Sequence, residues 1–278
     1  MNYWNQIYMH FDPIAFEIFG FGIHWYGIAY ATALLLALYM ARYWIKKDKQ
    51  YFNMDITALD YYFIWAEVGV ILGARLGYIL IYDPNTMYYL TQPWQIFNPF
   101  DERGDFVGIR GMSYHGGVIG FFIATYLFSI LKHKSFLALM DLIALSMPLG
   151  YVFGRIGNFL NQELFGRVVQ DDKISQAIGI LIQGELRYPS QLIEAFLEGI
   201  VVFLCVLFVR SKTKIKGALI ATYGSAYSLA RFLAEYFREP DEQMGTYIFG
   251  LSMGQILSIC MLFASCLIAI YIYKKNKN

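Results

Sequence analysis

Cysteine is scarce in this chain of 278 residues: there are three, Cys205, Cys260 and Cys266, each inside an apolar stretch. Their spacing offers neither a metal-ligand pattern nor a disulfide framework, so they read as small core or lipid-facing residues. Charge is scarce too, at 15% of residues, and its net value of +1 argues against a nucleic-acid partner. The motifs of several chemistries are missing. There is no GxSxG for an intramembrane serine protease and no HExxH for a zinc protease. Aspartates do not cluster at helical spacing as a magnesium-dependent lipid phosphotransferase would need, and Asp171–Asp172 reads as a solvated pair. No metal and no cofactor are therefore expected. The start, MNYWNQIYMHFDP, lacks a basic n-region and a small-residue cleavage site, so no cleavable signal peptide is expected.

What is abundant is apolar surface: 58% of residues are hydrophobic and 18% aromatic, with positive mean hydropathy. This predicts an all-α polytopic membrane protein. Seven segments are long and apolar enough to span a bilayer, at about 20–43, 57–82, 113–131, 137–159, 190–209, 217–237 and 248–273. Spans four and five are too far apart for a tight turn, which predicts a small extracytoplasmic head at about 162–189. The 83–112 connection carries Pro84, Pro93, Trp94, Phe97, Pro99 and Phe100, as suits an arm along the membrane interface. The whole chain, 1–278, reads as one transmembrane domain.

Basic residues cluster after alternate spans: Arg42, Lys46, Lys47 and Lys49; Lys132 and Lys134; Arg210, Lys212, Lys214 and Lys216; Lys274, Lys275 and Lys277. By the positive-inside rule these loops are cytoplasmic, with the N-terminus outside and the C-terminus inside. Glycines four apart (69, 73 and 77; 116 and 120; 150 and 154) predict close helix packing.

On this topology the remaining polar groups gather at one membrane level. The fourth span ends in GRIGNFLNQELFGR, with Arg155, Asn158, Asn161 and Gly166. The outer ends of other spans add His24, Trp25 and Tyr26; Arg75 and Tyr78; Arg110, Tyr114 and His115; Ser190, Gln191 and Glu194. Span six contributes Tyr227, Arg231, Glu235 and Arg238, the first three stacked on one helix face, while the last span contributes none. Ionisable groups at such depth mark a functional site by default. Arg155 and Arg231 facing one cavity would repel unless they shared an anion such as a phosphate. Glu235 fits either that site or a self-neutralising pair with Arg231. His115, in SYHGG, suits proton transfer, and Gly116 and Gly117 could bring backbone N–H groups to an oxyanion. His24 reads as an interfacial anchor.

These residues carry a resemblance. GRIGNFLNQELFGR resembles the signature of the bacterial prolipoprotein diacylglyceryl transferases, and so do IHWYG, GARLGY, GMSYHGG, YPSQLIEAFLEG and YGSAYSLARFLAEYFREPD, in order along nearly the whole chain. One departure is Tyr188, where that family usually has His before Pro-Ser-Gln. The resemblance implies a membrane transferase of lipoprotein biosynthesis in the bacterial cytoplasmic (inner) membrane, with its site toward the outer face. It would move the diacylglyceryl group of phosphatidylglycerol to the lipobox cysteine thiol of a preprolipoprotein signal peptide. A thioether forms and glycerol-1-phosphate leaves. In that reading His115 is the base, helped by Tyr26 or Tyr227, and Arg155 and Arg231, with Arg238 as a further candidate, would stabilise the departing phosphate. Asn158 and Asn161 would position the phosphate or glycerol hydroxyls, with Glu235, Gly116, Gly117 and Gly166 completing the lipid site. The rival reading, a transporter or flippase for an anionic lipid, needs polar groups at both faces or the midplane. The inner halves of these spans are largely apolar.

Overall fold

The computed structural model describes residues 2–18, 20–100, 103–106, 108–109, 111–239, 247 and 250–277. Arg110 lies outside the described residues, as do 248–249 at the expected start of the last span. In chain order the main elements are β1 (Ile14–Ile18), β2 (Phe21–His24), α1 (Trp25–Lys47), α2 (Ile56–Ile81), α3 (Tyr114–Leu131) and α4 (Phe136–Leu160). Then follow β3 (Ile180–Ile182), β4 (Glu185–Arg187), α5 (Ser190–Lys212), α6 (Ala218–Ala234) and α7 (Met253–Lys277). The chain is mostly helical and divides into two compact units, Met1–Lys47 with Met140–Asn278, and Asp48–Leu139.

Among the described residues six helices are long and apolar enough to cross a membrane: α1 to α5 and α7. This is a multi-pass membrane protein. The expected sixth span, α6, has only 17 residues. At about 1.5 Å per residue it reaches ~25 Å, short of the ~30 Å hydrocarbon core. It stops where Glu235 to Phe237 turn and Arg238 forms a backbone bridge with Gly166.

In the smaller unit α2 and α3 meet through backbone. A Cβ added at Gly73 would sit 2.7 Å from Gly120 Cα, and one at Gly77 as close to Gly116 Cα. The glycine spacing predicted this contact, which lets two backbones touch where lipid supplies no hydrophobic drive. Ser113 caps α3, and its own N–H donates to Ala74 O at 2.9 Å, tying the helix ends together. The 83–112 connection holds short helices at Thr86–Thr91 and Pro93–Phe97, with Trp94, Phe100 and Phe106 exposed. The buried Arg75 guanidinium donates to Ile96 O and Gly111 O, so it anchors this connection.

In the larger unit Gly150 packs on Ala33 O, whereas Gly154, its expected companion, faces open space. Asp141, fully buried on α4, accepts the N–H groups of Gly217 and Ile220 and so caps α6 from a neighbouring helix. Its place in an apolar run gave no hint of that partner. Between α4 and α5 the chain forms the β3–β4 hairpin and a short helix, Lys173–Ile178. Asp172 is more than a solvated charge: it caps that helix, and its hydrogen bonds with Ser175 hold its carboxyl below the usual range. The N-terminal turn docks on the same segment, with Asn5 Nδ2 donating to Gln176 O and Gly179 O.

Candidate active site

Three helices of the larger unit build the polar cluster. On α4, Tyr151, Arg155 and Asn158 follow at i, i+4 and i+7 and share one face. Arg155 Nε donates to Tyr151 Oη at 2.7 Å, and Nη1 reaches Asn158 Oδ1 at 3.4 Å. On α5, Glu194 and Glu198 are one turn apart, 1% and 0% exposed. The helix widens to a π-turn across Ala195–Val201 at this level. Such bulges recur at functional sites. On α6, Tyr227 lies edge-on to the Tyr151 ring and stacks with Tyr223.

The charges interlock. Glu194 lies 2.9 Å from Arg155 Nε and 3.7 Å from Arg231 Nη1. Glu198 accepts from Tyr151 Oη at 2.5 Å and meets Arg231 Nη1 at 3.5 Å. Arg231 Nη2 is 2.6 Å from Glu235 Oε2, so the i, i+4 pair exists inside the cluster. Two guanidiniums, those of Arg155 and Arg231, thus stand against three carboxylates. This corrects the expectation that repulsion between Arg155 and Arg231 requires an external anion. The protein's own Glu194 bridges them. Buried charges persist only when paired in this way. Among the described residues the Nη edge of Arg155 carries only the long bond to Asn158.

The amides of Asn158 and Asn161 have a partner inside the protein. They donate to Glu163 Oε1 at 2.7 Å and Oε2 at 3.1 Å. Gln162 and Leu164, flanking Glu163, take left-handed φ values of 55° and 57°. Non-glycine residues there are strained and cluster at active sites. The loop is pinned by Gln191 Nε2 to Glu163 O and by Ser190 Oγ to Leu164 O. Gly166 crosses the backbones of Tyr188 and Phe237 where a side chain has no room. The Tyr188 hydroxyl pairs with Ser175 at 2.8 Å and its ring stands edge-on to Phe237, so both ends of the side chain are engaged within the protein. Tyr26, half-exposed at the start of α1, packs on Gly157 of the signature.

In the smaller unit His115 is exposed in the first turn of α3, edge-on to Tyr114. Gly116 and Gly117 do not offer free N–H groups to an oxyanion: Gly116 N donates to Ser113 Oγ and Gly117 N to Ser113 O. Gly116 also faces Gly73 and Gly77, so both glycines serve the helix cap and packing. The last span does contribute, against expectation, because Ser252 Oγ donates to Glu235 Oε1 at 2.8 Å.

The sequence reading missed Tyr151, Glu163, Glu198 and Ser252. The i, i+4 repeat of Glu194 and Glu198 in a span otherwise apolar was a readable signal. Glu163 stood within the signature, but its role as the partner of two asparagines depends on a reversal of the chain.

A family model for prolipoprotein diacylglyceryl transferase matches residues 13–271. The chain is 59% identical to the phosphatidylglycerol–prolipoprotein diacylglyceryl transferase of Helicobacter pylori strain J99, covering 100% of this chain and 99% of the relative. It is 58% identical to the protein of the same name from Helicobacter acinonychis strain Sheeba, covering 100% of this chain and 99% of that one. With the namesake from Campylobacter jejuni strain 81-176 it shares 58% identity across the full length of both. With the signature region built into a buried, paired charge cluster and the match running the length of the chain, this protein belongs to the prolipoprotein diacylglyceryl transferase family.

Proposed function

We propose that this chain transfers the diacylglyceryl group of phosphatidylglycerol to the lipobox cysteine of preprolipoproteins. The reading rests on its full-length likeness to relatives that bear the name of that enzyme. In the reaction a sulfur–carbon bond forms and the carbon–oxygen bond to phosphate breaks. The thiol loses its proton and glycerol-1-phosphate carries away the electron pair. Negative charge therefore grows on the departing phosphate, where the guanidiniums of Arg155 and Arg231 stabilise it in a low-dielectric site. A free thiol has a pKa of about 8.5, so a base is needed near neutral pH, and His115 is assigned that part. Tyr26 and Tyr227 orient the substrates, and Asn158, Asn161 and Glu163 form the wall that meets the glycerol hydroxyls.

The topology that suits this chemistry has seven spans in the cytoplasmic membrane, α6 completed by its terminal turn, with the N-terminus outside and the C-terminus inside. The last turns of α1, α5 and α7 each carry basic residues, in support of that orientation. The arm then lies along the outer interface, and the segment between α4 and α5 is the extracytoplasmic head of a single catalytic domain.

The test is incubation of the purified protein in phosphatidylglycerol vesicles with a lipobox peptide. A diacylglyceryl thioether and stoichiometric glycerol phosphate are expected. Movement of lipid between leaflets with an unmodified peptide would overturn the reading in favour of a transporter. His115→Ala is expected to be inactive at neutral pH and to regain rate above pH ~8.5, where the thiolate forms unaided. A flat pH response removes His115 from the role of base.

A further inference from the structure

The start of α7 meets the charge cluster from a side the reaction chemistry leaves unused. Ser252 precedes the helix and Gln255 closes a reciprocal cap: Gln255 N donates to Ser252 Oγ at 3.2 Å, and Ser252 N to Gln255 Oε1 at 3.1 Å. Having accepted that bond, the Ser252 hydroxyl gives its own proton to Glu235 Oε1 at 2.8 Å. The other carboxylate oxygen, Oε2, is 2.6 Å from Arg231 Nη2. All three side chains at this joint, Ser252, Gln255 and Glu235, are buried. Just before Gln255 in the chain, Gly254 lies against the same carboxylate. A methyl group there would stand 2.7 to 2.9 Å from Oε1, Cδ and Oε2 of Glu235. A carboxylate at a side-chain tip can usually swing aside, but this one is hydrogen-bonded at Oε1 and ion-paired at Oε2. Displacing it breaks the hydrogen bond to Ser252 or the ion pair with Arg231. The positive end of a 25-residue helix also favours an anion at this place.

We propose that Ser252 and Gly254 are positioning residues that fix Glu235, and through it the Arg231 guanidinium, for the transfer reaction. The inference rests on the function proposed above. Arg231 then enters the reaction already oriented, with Nη2 paired to Glu235 and Nη1 to Glu194 and Glu198.

The experiment is a pair of double-mutant cycles read as kcat and KM for transfer from phosphatidylglycerol vesicles to a lipobox peptide. Ser252→Ala is expected to lower kcat by ~10-fold, the range for losing a hydrogen bond to a charged group, with KM for the peptide little changed. Ser252→Thr keeps the hydroxyl and is expected to stay within about 3-fold of the parent. Gly254→Ala is expected to fall by ~10-fold or more. On a Glu235→Ala background both substitutions should be nearly silent, because the carboxylate they act through is gone. The same cycles read by thermal unfolding in detergent must show the matching coupling, so the test holds even where turnover on that background is too low to time. Full additivity in both readouts overturns the proposal and leaves Ser252 as an ordinary helix cap. A parent protein that transfers nothing overturns the proposed function, and this positioning role with it.

Discussion

The α2–α3 contact and the α4–α5–α6 cluster solve the same problem in opposite ways. Two helices in lipid gain little by burying apolar side chains against each other. The first pair responds by removing side chains: Gly69, Gly73 and Gly77 lie against Gly116 and Gly120. The second group keeps long charged side chains and pairs them, Arg155 with Glu194 and Arg231 with Glu194, Glu198 and Glu235. Backbone contact is cheap to encode and does no chemistry. Paired charge is costly to bury, yet it holds guanidiniums oriented in a place where a developing phosphate charge is felt strongly. The contrast separates a contact that holds two helices together from a cluster that holds charges in place.

Substitutions can break the contrast from either side. The largest effect is expected for Arg155→Lys and Arg231→Lys, each lowering transfer by about 10²–10³ with the protein still inserted. A lysine keeps the charge but loses the planar fork. Near-normal turnover in both variants would sink the electrostatic role given to the cluster. Next comes Glu198→Gln. Removing one charge from a buried pair leaves Arg231 under-compensated, and a loss of stability of about 3 kcal/mol is expected, read by thermal unfolding in detergent. An unchanged midpoint would mean that Glu235 and Glu194 alone neutralise Arg231.

Gly73→Ala addresses the other region. A methyl group there runs into Gly116 O and Gly120 Cα, so α2 and α3 must separate, at about 1–3 kcal/mol of stability. Turnover per folded molecule should fall far less than in the arginine variants. Equal losses of turnover would erase the distinction between scaffold and site. The smallest effect is expected for replacing Cys205, Cys260 and Cys266 together with alanine, because none belongs to the cluster. Activity should persist, and lipid covalently attached to any of the three in the parent protein would reveal a double displacement. That cysteine-free chain also tests orientation: Gln162→Cys should react with a membrane-impermeant thiol reagent in intact cells, and Lys214→Cys only after the membrane is opened.

Much of the architecture was legible in the chain because its signals are local and repetitive. A run of about 20 apolar residues predicts a spanning helix, and glycine at every fourth position predicts a close contact, whatever the partner. Arg155, Arg231 and Glu235 stood out because ionisable groups are rare and costly at that depth. What resisted reading was every assignment that needs a partner from elsewhere in the chain. Asn158 and Asn161 read as substrate ligands, and their shared partner Glu163 could be found only once the chain reversed onto them. Gly116 and Gly117 looked like an anion cradle until Ser113 took their N–H groups. Arg75 looked like a member of the polar site, and its donors go to the carbonyls of Ile96 and Gly111.

The sequence by itself therefore determined the membrane class, most of the helices and which residues are too polar to face lipid, since each follows from transferring a short segment out of water. Tertiary structure alone decided how those polar groups are paired. Glu194 shared by two arginines, Glu198 meeting Tyr151 and Arg231, and Ser252 reaching Glu235 from the start of α7 depend on distances between segments far apart in the chain. Electrostatic and hydrogen-bond energies are set by ångströms between partners, a quantity that no local pattern of residues contains.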